Sequence, residues 1–329
     1  VKVAVVGATG QLGSDVSAAF ETSGDEVTRL GHDAIEVSSL ESVRNCLESA
    51  RPDLVVNTAA YHQVEQCEAD PATSFSVNAF GARNLGLVTA ALGATLVHIS
   101  TDYVFDGERN TPYTEQDRAL PVNVYGNSKL AGEHFVRCAN PQHFILRVAG
   151  LYGIHPCRAK GGLNFVELML KLSREREEVR VVDTEFVTPT PTKEVARQIV
   201  VLASTAEYGL YHATAEGHCS WYQFARAIFD AADVKVRLER ARPGEFPAKV
   251  RRPAYSILEN QALKARSLNL FSPWEKGLQE YLAARRATVS ALPSFKTGRG
   301  MLAKYGPAPS TEEIDENRRE MFRRFAEDE

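Results

Sequence analysis

Two patterns of hydrophobic and polar residues alternate along the first 150 residues. Short, mostly apolar, β-branched runs occupy residues 1–6, 26–30, 53–57, 95–99 and 144–148. Runs of this kind read as strands buried on both faces. Between them lie longer stretches with apolar residues three and four apart, which predict helices from the end of a glycine-rich loop through about Phe20, then over 39–50, 71–91 and 126–138. Residues 35–37 read as one further short, strand-like piece. Five alternations of strand and helix require a parallel sheet with right-handed crossovers and helices on both faces, a Rossmann-type doubly wound α/β fold. Beyond residue 150 the pattern loosens. It predicts a helix ending near Arg176, a strand at 180–182, a stiff Thr188-Pro189-Thr190-Pro191-Thr192 loop, a helix at 193–204 and a strand at 209–213. A helix capped by Ser220, with Trp221, Phe224, Ala225 and Ile228 on one face, and a closing segment from Trp274 to Leu282 follow. These elements predict a smaller α/β lobe over the carboxyl edge of the sheet, enclosing a cleft.

The loop after the first strand carries Gly7, Gly10 and Gly13 around Gln11 and Leu12. Between a strand and a helix, this spacing predicts a dinucleotide site: glycines let the backbone approach a pyrophosphate, and the helix N-terminus offers free N–H groups. Arg29 and His32 stand at the end of the second strand, and no acid occupies the position that would grip a ribose 2′-hydroxyl. Basic groups there suit a 2′-phosphate, so NADPH is expected, with NADH also open; Arg29 can equally be a solvated surface residue. Glu36 could meet the adenine or its ribose. Small residues at Thr58, Ala59 and Ala60 leave room for a cofactor at the sheet edge or pack tightly. Asn78, inside a helical pattern, either bonds a neighbouring loop or faces water.

Composition narrows the class. The chain has 329 residues, 44% hydrophobic and 24% charged, with a net charge of -4. That suits a globular protein with a large and a smaller domain, and gives no electrostatic reason to bind nucleic acid or a membrane surface. Five isolated cysteines without a C-x-x-C predict reduced thiols rather than disulfides or a zinc site. No apolar stretch approaches the ~20 residues a bilayer needs, and Val1 opens directly into a strand-like run. A cytoplasmic protein is expected. Residues 286–309 have linker composition, with Pro293, Gly298, Gly300, Gly306, Pro307 and Pro309. Residues 310–329 predict a charged helix with Ile314, Met321, Phe322 and Phe325 on one stripe, packed on the chain itself, on a second copy or on another protein. The layout is thus a dinucleotide-binding domain at 1–150, to which later segments can return, a mainly substrate-binding lobe at 151–285, a linker and a terminal helix.

Tyr125 and Lys129 stand four residues apart at the head of a helix and so share a face. A neighbouring ammonium favours the phenolate and is expected to draw the tyrosine pKa down from about 10. Such a pair can pass a proton to a carbonyl oxygen while a hydride reaches the carbon. Some two dozen residues earlier the fourth strand delivers Ser100-Thr101-Asp102. Either Thr101 or Ser100 can donate a hydrogen bond to the same substrate oxygen.

The glycine loop, Ser100-Thr101-Asp102-Tyr103-Val104-Phe105-Asp106-Gly107 and the Tyr125–Lys129 pair, taken in order, resemble the dTDP-4-dehydrorhamnose reductase branch of the extended short-chain dehydrogenases/reductases. Matching pieces also occur at Asn57 to Tyr61, Gly162 to Val166 and Arg252 to Ser256, so the resemblance covers residues 1–285. It implies NADPH-dependent reduction of the C4 ketone of a 6-deoxy nucleotide sugar. It implies Thr101, Tyr125 and Lys129 as catalytic residues, Gly10, Gln11, Leu12, Glu36, Val37, Ala59, Ala60 and Tyr61 around the cofactor, and Asp102 on the sugar, with Asn164 and Arg252 in matching segments as further candidates. Two rivals remain: another reductase, epimerase or dehydratase of nucleotide sugars, and a cofactor-binding regulatory subunit like the β subunit of methionine adenosyltransferase. There are departures. The branch's Thr-Ser-Trp after the arginine is Val148-Ala149-Gly150 here, and its Gln-x-Gly-x-Pro-Thr loop is Glu185 to Thr190. Some members hold a magnesium at a dimer interface; Asp15 is the one candidate ligand, and no metal is expected. A homodimer is open.

Overall fold

The computed structural model describes residues 1–157, 162–242, 244–246 and 249–291. Most of the expected linker and the whole of the charged helix at 310–329 lie outside them. Strands β1 (Lys2–Val6), β2 (Glu26–Leu30), β3 (Leu54–Asn57), β4 (Thr95–Thr101) and β5 (His143–Val148) form one parallel sheet with the strand Gly209–His212. The order across it is Gly209–His212, β5, β4, β3, β1, β2. Each central strand is apolar on both sides because both sides are covered. Val3, Val5, Val56 and Val97 meet Val16 and Phe20 of the helix Gln11–Thr22 and Ile199 of Thr192–Ala203. Ala4, Val6, Val55 and Leu96 meet Leu47, Leu85 and Val136 from the helices Leu40–Ala50, Gly81–Leu92 and Val124–Ala139. The strand order reverses at β1, which pairs with β2 on one side and β3 on the other, and the crevice opens at the carboxyl ends of these strands.

A separate core joins the helices Phe165–Glu175, Trp221–Ala232 and Trp274–Ala291 through Met169, Phe224, Ile228, Trp274 and Leu278. Around it run three two-stranded pairs: Glu178–Val181 with Arg237–Arg240, Phe186–Val187 with Cys219–Ser220, and Leu151–Tyr152 with Thr190–Pro191. Helix Thr192–Ala203 and strand Gly209–His212 return from this half of the chain to the large sheet.

Four local expectations need correction. Residues 35–37 form no strand, because the carbonyls of Val37 and Ser38 accept from Asn84 Nδ2, at 3.0 and 3.2 Å, instead of joining a ladder. The helix expected over 71–91 is α-helical at Pro71–Phe75 and Gly81–Leu92 but winds as a π-helix at Ser76–Phe80. The helix expected from 126 begins at Val124, where the Asn123 side chain accepts from the Gly126 amide at 2.9 Å, which puts Tyr125 in its first turn. Helix Trp274–Ala291 continues through residues expected as linker, since no glycine or proline interrupts the chain between Gly277 and Pro293. Among the described residues no helix is long and apolar enough to cross a membrane.

Candidate active site

The glycine loop is a backbone cradle at the crevice. Gly7 turns with φ +77°, and a Cβ there would stand 2.9 Å from the Ala59 amide nitrogen. A Cβ on Gly13 would stand 2.2 Å from the Gly7 carbonyl oxygen, so β1 and the helix meet only through glycine. At Gly10, by contrast, the Gly7 oxygen at 3.2 Å is the sole described atom within 4 Å of a Cβ, and this is the open side of the loop. The first helical bond runs from Ser14 N–H to the Gly10 carbonyl, which leaves the Gln11, Leu12 and Gly13 amides to an anion. Leu12 itself is buried in the sheet core. The Gln11 side chain donates to the carbonyls of Gly153 (3.4 Å) and His155 (3.0 Å), strapping that loop to the helix. These features fit a dinucleotide pyrophosphate.

Not every expected cofactor residue is brought here. Arg29 forks onto Glu21 in the last turn of Gln11–Thr22, at 3.0 and 2.9 Å, because its side chain lies along that helix rather than at the strand end. Glu36 accepts from the Ser38 amide and hydroxyl at 3.0 and 2.8 Å, which hold its carboxyl below the usual range. Val37 is buried against Gly81. The Ala59–Ala60–Tyr61 segment does reach the crevice. It is held by Asn78, which accepts from Tyr61 N–H at 2.9 Å, donates to the Tyr61 carbonyl at 2.8 Å, and donates to Ser128 Oγ at 3.0 Å. Ser128 in turn donates to the Tyr125 carbonyl at 2.8 Å. Asn78 and Ser128 were not among the expected site residues; an asparagine inside a helical pattern was the available signal.

Lys129 is buried on the inner side of its helix, one turn from the half-buried Tyr125. Burial pushes the Tyr125 phenol above the ordinary tyrosine value, against a hydrogen bond with Thr101. This is the reverse of the expected shift. The Lys129 amine is directed into the fold, donating to the Ile99 carbonyl at 2.6 Å, and burial draws its own pKa down to about 8, opposed by the Glu133 carboxylate. One turn further, Glu133 accepts from Arg147 at 2.9 and 2.7 Å in a buried ion pair, and also from Ser100 Oγ. Of the two hydroxyls, Ser100 is directed at Glu133, and Thr101 at Asp102 beside Tyr125.

The opposite wall is made of side chains. Asp102 opens a 3-10 turn, accepts from Thr101 Oγ1 at 3.0 Å and from Ser256 Oγ, and is raised by burial to about 6. Ser256 arrives because the segment 251–256 lies flat on Gly107, where a Cβ would stand 2.5 Å from Pro253 Cα. Arg252 pairs with Glu65 beside Tyr103, whose ring meets Tyr125 edge-on at 5.8 Å. Asn164 is not brought to this wall: it caps Phe165–Glu175 through the Glu167 amide and donates to the Gly153 carbonyl at 2.9 Å. Asp15 accepts from Thr192 and faces His155; among the described residues no group of three His, Cys, Asp or Glu side chains is placed to hold a metal.

Residues 1–287 match a family model described as the RmlD substrate binding domain. The chain is 38% identical to the spore coat polysaccharide biosynthesis protein SpsK of Bacillus subtilis, over 86% of this chain and 98% of that one. It is 33% identical to a dTDP-4-dehydrorhamnose reductase of Sinorhizobium fredii, over 86% and 97%. The crystal structure of dTDP-4-dehydrorhamnose reductase from Bacillus anthracis in complex with NADP superposes with a TM-score of 0.82 at 35% identity, covering 86% of this chain and 99% of that one.

Proposed function

The chain belongs to the RmlD substrate-binding family, and from that premise we propose that it is an NADPH-dependent reductase of the C4 ketone of a 6-deoxy nucleotide sugar. The reaction is of the dTDP-4-dehydrorhamnose to dTDP-L-rhamnose type and feeds the making of a surface polysaccharide. The observation that carries the residue assignment is the meeting of Thr101 and Tyr125, with Lys129 one turn along, at the end of the sheet that holds the glycine cradle. NADPH, when bound, supplies the hydride to the ketone carbon. Tyr125, held protonated by its buried surroundings, gives its proton to the ketone oxygen as that carbon becomes tetrahedral. Lys129 places a positive charge one helical turn from the phenolate left behind. Thr101 orients the oxygen, and Asp102 and Arg252 line the sugar side.

Gly150 keeps a second reading alive, in which the sugar differs. It has φ +56°, and a Cβ there would stand 2.5 Å from the Thr188 carbonyl oxygen and 2.7 Å from Val187 Cγ2. No aromatic wall can grow from that position without moving the strand beside it. NADPH oxidation against a panel of 4-keto nucleotide sugars tests both readings. Turnover of dTDP-4-dehydrorhamnose supports the first, turnover confined to another 4-keto sugar supports the second, and no turnover of any sugar overturns both.

A further inference from the structure

We propose that Asp102 and Ser256 are positioning residues that set the direction in which Thr101 offers its one hydroxyl proton. A hydroxyl has one hydrogen to donate and two lone pairs. Two partners are bonded to Thr101 Oγ1: the Tyr103 amide, which donates to it at 3.2 Å, and the Asp102 carboxyl, which accepts from it at 3.0 Å, with the Tyr125 phenol beside them. Thr101, Asp102 and Ser256 are each no more than 5% exposed, so water does not substitute for these partners.

Two arrangements satisfy the hydroxyl. With Asp102 ionised, Thr101 gives its proton to the carboxylate and accepts from Tyr103 N–H; no proton remains for a ketone oxygen. With Asp102 protonated, the acid can donate to Thr101, the two lone pairs are filled by Asp102 and Tyr103, and the Thr101 proton points outward. Only the second arrangement supports the donor role given to Thr101 above, and the catalytic part of the proposal rests on that reading. Burial brings the Asp102 carboxyl to about 6, so both arrangements are populated in the ordinary working range. The titratable groups facing it are the Tyr103 and Tyr125 phenols, backed by Arg252 and Glu185 on one side and Cys67 on the other. Ser256 donates to the other carboxyl oxygen and so favours the ionised form.

The test is the pH profile of kcat/KM for the full chain at saturating NADPH, in the wild type, Ser256→Ala, Ser256→Thr and Asp102→Asn. In parallel, the carboxyl carbons of labelled aspartates are titrated by NMR in the protein without substrate, with Asp102→Asn as the assignment control. The wild type is expected to lose activity as pH rises through a group near 6. Ser256→Ala should move that limb upward by about one to two pH units, the worth of one hydrogen bond to a charged group. Ser256→Thr should restore its position, and Asp102→Asn should abolish it. A Ser256→Ala profile that superimposes on the wild type overturns the proposal, as does an Asp102→Asn profile that keeps the limb. Should no keto sugar be turned over, the NMR titration decides: an upward shift in Ser256→Ala upholds the hydrogen-bond arrangement while the substrate reading fails, and an unmoved Asp102 signal overturns the arrangement itself.

Discussion

The two walls of the crevice are built differently. The wall proposed for the cofactor is mainly backbone: Gly7, Gly10 and Gly13, with the amides that open the first helix. The wall proposed for the substrate is side chain, drawn from far apart, with Ser256 lying 154 residues from Asp102 and Arg252 lying 187 from Glu65. A backbone wall tolerates no added atom at Gly7 or Gly13 and offers a pyrophosphate its amides alone. A side-chain wall can be altered one residue at a time, and its polar groups govern each other's protonation.

Four substitutions sharpen or break that contrast. Tyr125→Phe should lower kcat by about 10²- to 10⁴-fold, with NADPH affinity by fluorescence titration little changed; a matching loss of affinity would mean the walls are not separable. Glu133→Ala leaves the Arg147 guanidinium buried without its carboxylate, and urea unfolding should register a loss of about 3–5 kcal/mol. Gly13→Ala forces a methyl against a backbone oxygen and should cost about 1–3 kcal/mol in the same assay, with weaker NADPH binding. Arg29→Ala removes an exposed pair with Glu21, so stability should move by no more than about 0.5 kcal/mol and the ratio of NADPH to NADH activity should stay the same. A collapse of NADPH preference in that variant would return Arg29 to the cofactor wall.

What could be read from the chain follows the same contrast. The parallel sheet was legible because doubly buried strands must be continuous apolar runs, and the glycine loop and the Tyr125–Lys129 spacing were legible because each is local. Ser256 was not, since nothing near it in the chain points to Asp102 and only the approach over Gly107 joins them. Asn164 and Arg29 take other partners in this structure for one reason: an asparagine before a helix serves equally as cap or ligand, and an arginine at a strand end serves equally as phosphate donor or partner for Glu21. The shift of Tyr125 could not be read because helical spacing reports a neighbouring charge but not the depth at which both groups lie.

The wide turn at Ser76–Phe80 has a mechanical consequence. Its extra residue is taken up inside the turn, so the short helix before it and the long one after it keep their phase while Asn78 sits in the widened stretch. Shortening it by one position would restore regular winding, keep the flanks near their present phase, and turn the residues inside the bulge relative to both. Asn78 could not then address Tyr61 and Ser128 together. A single deletion well behind the chemistry would uncouple the floor under the cofactor from the helix that carries the acid.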